Sequence, residues 1–226
     1  MAKTRTKKTD ASIEVLAAPR VDRRLARTRA ALMGAGQRLF GARNFDGVTI
    51  DDIVESADVA KGSFYNHFED KQSLADAIVE LVQSDCEREV SMINTDINDP
   101  ATRMARAMVG LVRYSREHPD RYRAMVNLTK RADVAAPINA GVRHDIEIGL
   151  AAGQYHSITI EGGVLVAFGM IAYTIDYLSN TQVSKSPQAI TQEMAFMLLR
   201  ALGVRSPKAK SVSQSVVAEL LGERKN

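Results

Sequence analysis

The sequence has no tryptophan and a single cysteine, Cys86, in 226 residues. One cysteine excludes a disulfide within the chain and fits a reducing compartment. Aromatic residues make up 5% of the chain and charged residues 25%, the balance of an ordinary globular protein. The histidines, at positions 67, 118, 144 and 156, have no zinc-type spacing, so neither a metal nor another cofactor is expected. No cluster of Ser, His and acid suggests hydrolysis. His144, Asp145 and Glu147 follow one another at a spacing that an amphipathic helix places on its surface. "EGG" at 161–163 and "SVSQS" near the C-terminus stand in no phosphate-loop context. The expectation is that the chain is not an enzyme.

Targeting and membrane signals are sparse too. The start, Met1 to Asp10, is rich in Lys and Thr with no apolar run behind it, so no leader is expected. The longest apolar run, Val164 to Ile175, has 12 residues without a charge. That falls short of the roughly 20 residues that cross a bilayer and reads as a buried helix. A cytoplasmic protein with no membrane partner is expected.

What is present is an uneven charge. The net charge is only +3, but residues 1–43 hold 11 Lys or Arg against three acids, Asp10, Glu14 and Asp22. The first 43 residues thus carry a surplus of eight, and the rest of the chain a deficit of five. Such asymmetry suits an end that meets a polyanion, and equally a solvated tail followed by a charged helix face.

Periodicity gives an all-α fold, with no stretch of strand-type alternation and no internal repeat. Residues 1–21 read as a basic flexible arm, 22–72 as a small N-terminal three-helix unit and 73–226 as a larger helical domain. Leu32, Ala35, Gly36, Leu39 and Phe40 recur at helical steps between Asp22 and Ala42. "GARNFDGV" supplies a turn, and Thr49 with Asp52 forms a loose capping box that opens a second helix. Asp58-Val59-Ala60 makes a tight corner before a third helix, Lys61 to Phe68. A long fourth helix covers roughly Ser73 to Met92. Asp99-Pro100 opens the next, to His118, and Pro119 another, to about Lys130. Further helices span about Pro137–Ala152, Glu161–Leu178, Ser186–Leu202 and Val212–Leu221.

The stretch "VTIDDIVESADVAKGSFYNHFEDKQSL", Val48 to Leu74, packs three helix starts into 27 residues. On the third helix Phe64 and Phe68 share one face and must point inward. Gly62 and Asn66 lie opposite, flanked by Ser63, Tyr65 and His67, with Lys61 in the first turn. That outward face is small, hydrogen-bonding or cationic and carries no acid. Gly62 costs roughly 1 kcal/mol of helix stability relative to Ala, which makes sense where something approaches the backbone closely. Free N–H groups at the helix start suit phosphate. Two helices joined by a tight turn, the second polar outward, form a helix-turn-helix with a helix for the major groove.

The resemblance goes beyond that pattern. From about Ala26 to Val79, "RLFGARNFDGV" followed by "TIDDIVESADVAKGSFYNHFEDKQSL" closely resembles the DNA-binding domain of the TetR/AcrR family of transcriptional regulators. The resemblance implies that Thr49, Lys61, Gly62, Ser63, Tyr65, His67 and Lys71 line the DNA face. Ala60 departs from it, since relatives often carry a small hydroxyl residue there to cap the third helix. From the residues themselves, Tyr65 is a phosphate contact or an amphipathic surface ring, and Lys71 a phosphate clamp or a solvated lysine. His67 packs under the first helix or touches DNA, and Thr49 serves the helix as cap or phosphate as partner. Asn66 suits adenine, and Lys61 suits guanine or phosphate.

For the rest of the chain, the family implies a ligand-responsive homodimer, a repressor released from a palindromic double-stranded DNA operator by a small-molecule effector. Val164, Leu165, Phe168, Ile171, Ile190, Met194, Met197, Leu198 and Ala201 form stripes on the last two large helices that suit a dimeric four-helix bundle. They suit packing inside one subunit as well. Met104, Met108, Leu111, Tyr114, Tyr122, Met125, Phe168, Tyr173 and Tyr177, with His144, Arg113 and Arg121 near the same faces, could line a pocket for an apolar or amphipathic effector. The alternative is plain core. Two other functions fit parts of the sequence: a constitutive DNA architectural protein without an effector, and a helical small-molecule or enzymatic domain whose helix-turn-helix is vestigial.

Overall fold

In the computed structural model, which describes residues 20–129, 140–179 and 186–222, those residues form ten α-helices and no strand. The order is α1 (Arg20–Ala42), a single tight turn at Phe45–Gly47, α2 (Ile50–Ser56), α3 (Lys61–Tyr65), α4 (Lys71–Ile93) and α5 (Pro100–Glu117). Then come α6 (Pro119–Leu128), α7 (Ala140–Ala151), α8 (Ile160–Ser179), α9 (Pro187–Ala201) and α10 (Ser206–Leu221). Residues 1–19 of the expected basic arm and the expected start of α7 at Pro137 lie outside the described residues, while Arg20 and Val21, expected in the arm, begin α1.

Local chemistry sets the helix ends. α4 begins at Lys71 rather than Ser73 because Asp70 and Ser73 cap each other reciprocally, through Ser73 N–H to Asp70 Oδ1 at 2.7 Å and Asp70 N–H to Ser73 Oγ at 3.2 Å. Asp99 and Ser186 cap α5 and α9, each followed by a proline at the first helical position. α10 starts six residues before the expected Val212, with Pro207 in its first turn. Gly203, at φ 90°, reverses the chain after α9, and an added Cβ there would lie 2.5 Å from the His156 backbone.

Two apolar clusters result. The first joins Leu32, Phe40, Ile53, Phe64 and Phe68 of the N-terminal helices and linkers to Leu74, Ile78 and Val82 of α4. Tyr114 of α5 and Ala124 of α6 complete it, so this core does not stop at residue 72. The second gathers Met104, Met108 and Val112 of α5 with Ile146, Val164, Ile171, Ile175, Leu198 and Val216. Leu111 and Tyr122 pack against both clusters. α6 lies along α1, where Asn127 Nδ2 donates to the Phe40 carbonyl at 2.8 Å.

Ionic contacts tie α4 to its neighbours. The buried Asp85 carboxylate accepts from Arg88, from Arg121 Nη1 at 3.3 Å and from the Tyr114 hydroxyl at 3.3 Å, while Glu89 pairs with Arg113. Burial, helped by Asp85, pushes the neighbouring Cys86 thiol up to about 12, which keeps it protonated and unreactive.

α8 differs from its expectation. It extends over 20 residues, so by length and composition it is long and apolar enough to cross a membrane. In the fold its Val164, Ala167, Ile171 and Ile175 face is buried against the other helices, and the opposite face is exposed.

Candidate nucleic-acid interface

α2 is held at both ends by its own residues. The Thr49 hydroxyl accepts the Asp52 N–H at 3.1 Å and donates to Asp52 Oδ2 at 2.7 Å. The Asp52 carboxyl is held below the usual carboxylate range by that hydroxyl first and then by the Thr49 N–H. Both functions of the Thr49 hydroxyl are therefore engaged in the cap. At the other end Asp58 takes φ 53°, with Asp58 N–H on Glu55 O at 3.1 Å and Val59 N–H on Val54 O at 3.0 Å. This is a Schellman closure with aspartate where glycine is usual, and it turns the chain sharply into α3.

α3 is shorter than its sequence suggested, ending at Tyr65 with Asn66 as its C-cap. Ala60 at its N-cap offers no side-chain hydrogen bond. Phe64 and Phe68 point inward, their ring centroids 5.8 Å apart, and anchor the turn in the first apolar cluster. Lys61, Gly62, Tyr65 and Asn66 are exposed, while Ser63 and His67 are half-buried beside them. A Cβ added at Gly62 would meet nothing within 4 Å. No neighbour in the fold requires glycine there, so the open backbone faces whatever approaches from outside.

The electrostatics of this surface differ from expectation in two places. Lys61 Nζ pairs with Asp51 Oδ1 at 2.7 Å, and that partner holds the ammonium above its ordinary range. The exposed surface is thus not free of acid, because α2 contributes one. Lys71, read as a phosphate clamp or a solvated lysine, is half-buried and donates to the Phe45 and Val48 carbonyls at 2.8 and 2.7 Å. Its Nζ also lies 4.2 Å from the Phe45 ring centroid. Those contacts make it a clasp on the turn between α1 and α2.

Sequence reasoning passed over three arginines, two on α1 and one just after its end. Arg29 lies over the Phe68 ring at 4.9 Å, Arg38 donates to the Ser56 carbonyl and hydroxyl at 3.1 Å, and Arg43 approaches Asp52 at 3.8 Å. They fasten α1 to the helix-turn-helix. The pairing of Asp51 and Asp52 at the start of α2 was the one legible hint that nearby cations would have partners.

The helices that follow sort the remaining expected residues anew. Of the stripe assigned to dimerisation, Val164, Ile171 and Leu198 are buried within the subunit, and Ile190 and Met194 are half-buried. Leu165, Phe168 and Met197 are exposed, at 52%, 43% and 50%, and Ala201 is exposed beside them. Of the residues assigned to an effector pocket, Met104, Met108 and Tyr114 are buried, and Leu111, Tyr122 and Met125 are half-buried. Phe168, Tyr173, Tyr177 and His144 do not point into that interior. They are exposed on α8 and α7, because the apolar stripe of α8 that packs inward is the other one. Tyr114 and Met125 belong instead to the first cluster, under the helix-turn-helix.

Residues 32–78 match the family of bacterial regulatory proteins called tetR. Its N-terminal helix-turn-helix unit is thus of the TetR type. A transcriptional repressor of Mycobacterium sp. (strain GP1), DhaR, is 37% identical over 81 residues, 35% of this chain and 41% of that protein. The Escherichia coli (strain K12) repressor NemR is 36% identical over 53 residues, 24% of this chain and 27% of NemR. These matches therefore span well under half of the relatives' lengths. The structure of RolR in complex with resorcinol superposes with a TM-score of 0.57 at 25% identity, covering 85% of this chain and 95% of that one. A gamma-butyrolactone receptor described as ArpA-like superposes at 0.66 with 21% identity, covering 86% and 99%, a likeness of fold. The N-terminal helix-turn-helix and the C-terminal helical domain follow the architecture of those neighbours.

Proposed function

We propose that this chain is a dimeric, DNA-binding transcriptional regulator, a repressor that leaves a palindromic operator when a small molecule binds. Residues 22–72 engage DNA, α4 transmits, and residues 73–226 hold the effector and the second subunit. The observation that carries the reading is the surface of α3, where Gly62 leaves the backbone open and Lys61, Tyr65 and Asn66 stand exposed around it. A duplex groove needs such a surface: close approach, donors and a cation, with the apolar residues turned away.

The exposed apolar residues of α8 and α9 support the dimer. Leu165, Phe168 and Met197 form a face that water covers poorly and that a second copy, related by a two-fold axis, would bury. A two-fold dimer presents two α3 helices, and its half-sites should lie roughly one helical turn or somewhat more apart, ~34–36 Å at the least. The effector belongs among Met104, Met108, Leu111 and Tyr122, inside the second cluster and at its border with the first. RolR, bound to resorcinol, supports a compact effector of apolar or amphipathic character.

Selection from random duplex DNA tests the reading. The expected product is a two-fold motif, bound with an affinity that drops steeply as salt rises, since lysine and arginine displace counterions from phosphate. Recovery of no two-fold motif sinks the specific regulator and leaves an architectural DNA binder.

A further inference from the structure

Between α1, α4 and α6 runs an open cleft that neither the DNA surface nor the second cluster uses. Its larger lobe, of about 610 Å³, has Ala30, Met33, Ala77 and Leu81 on its apolar wall and Arg29, Glu80 and Arg121 as its ionic groups. A smaller lobe, of about 250 Å³, continues toward Arg38, Glu117 and Asp120. Gly34, Gln37 and Arg121 border both lobes.

Three observations there point to a ligand. Gln37 is only 7% exposed, yet its amide has no hydrogen-bond partner among the described residues. Its polar atoms are not sealed inside the core, so the amide opens into the cleft and is free to pair with a group that enters there. Gly34 sits in the middle of α1, where glycine weakens a helix, and an added Cβ would meet only the Arg38 guanidinium at 3.6 Å. Gly36, by contrast, is required by packing, with Ile78 at 2.7 Å from its added Cβ. Arg121 uses one N–H on Asp85, at a long 3.3 Å, and keeps 41% of its side chain exposed. With Arg29 and Glu80 it leaves the larger lobe one positive charge in surplus.

We propose that this cleft is a second ligand site, for a compact amphipathic anion: an aromatic or short acyl body carrying one carboxylate or sulfonate. The body lies on Met33 and Leu81, and the acid accepts from the Gln37 amide and Arg121. Because α1 belongs to the helix-turn-helix unit and α4 leads out of it, an occupant wedged between them fixes the angle at which that unit is carried. The site is separate from the effector interior proposed above, and its occupancy can be read without DNA.

The probe is anilinonaphthalene sulfonate, titrated by fluorescence into the full chain. One saturable site per chain is expected, with affinity about tenfold weaker in Gln37→Met, which keeps the packing and removes the amide. Gly34→Leu fills the cleft and should abolish binding. Ala30→Leu, at an exposed position of α1, should do the same if the glycine variant does not fold, circular dichroism reporting the helical content of each. Glu147→Gln, on the exposed surface of α7, should bind the dye as the parent does. Unchanged affinity in Gln37→Met and Ala30→Leu overturns the site, as does loss of binding in Glu147→Gln. Equal affinity for the uncharged phenylnaphthylamine overturns the assignment of an anion.

Discussion

The Lys71 ammonium stands 2.7 Å from the Val48 carbonyl, across a sequence gap of 23 residues, and reaches the Phe45 carbonyl and ring from the same position. A lysine at the start of α4 thereby closes the turn that leads into α2. Charge-assisted hydrogen bonds of this kind contribute about 1.5–3 kcal/mol, so Lys71→Met should lower the stability of the chain by about 2 kcal/mol in urea unfolding. DNA affinity at low temperature, where the variant stays folded, should change much less. Unchanged stability with a large loss of DNA affinity would return Lys71 to the role of phosphate contact.

Gly62 separates folding from binding. With open space around its added Cβ, Gly62→Ala should stabilise the free protein, by up to about 1 kcal/mol from helix propensity. The same methyl projects toward the groove and should weaken operator binding by about tenfold or more, roughly 1.4 kcal/mol. Thermal unfolding and a DNA titration on one preparation give both numbers. A stabilised variant that binds DNA like the parent would remove α3 from the interface.

How far these features could be read from the sequence depends on how local their causes are. The helix-turn-helix was legible because its determinants lie within a few residues of each other: the Thr49–Asp52 box, the tight corner at Asp58 and the inward Phe64 and Phe68. The clasp made by Lys71 was not legible, since its acceptors are backbone carbonyls 23 and 26 residues away, and backbone oxygens leave no mark in a sequence. α8 failed differently. It is apolar nearly all round, so periodicity shows a helix without saying which stripe turns inward. The stripe of Val164 and Ile171 went to the core, and the bulky Phe168, Tyr173 and Tyr177 were left outside. The unpartnered amide of Gln37 depends on the relative placement of three helices and had no sequence signal at all.

That sorting of α8 gives a paired test. Leu165→Glu places a charge on an exposed residue, whereas Val164→Glu places it on one that is 1% exposed. An unpaired buried carboxylate costs several kcal/mol, so Val164→Glu should fail to fold or melt far below the parent. Leu165→Glu should keep its helical circular dichroism and sediment as a monomer at concentrations where the parent is dimeric. A monomeric parent at micromolar concentration, or a fully dimeric Leu165→Glu, would move the interface away from this face.

The acid stability of the chain should be set in part at the start of α5. Burial alone would raise the pKa of Asp99, but hydrogen bonds from Lys208 at 2.6 Å, from the Thr102 hydroxyl and N–H and from Gln154 outweigh it and hold the carboxyl at about 2. A carboxyl depressed in the folded state stabilises fully above its unfolded value, near 3.8, and that contribution disappears as the pH falls through about 2. About a third of the Asp99 side chain is exposed, so screening reduces its worth to about 1 kcal/mol. Lys208→Met removes the cation from α10 and should lower the urea midpoint at neutral pH. It should do so much less near pH 2, where Asp99 of the parent is itself about half protonated. An equal loss at both values would mean that Lys208 acts by packing α10 against α5 and not by holding the Asp99 charge.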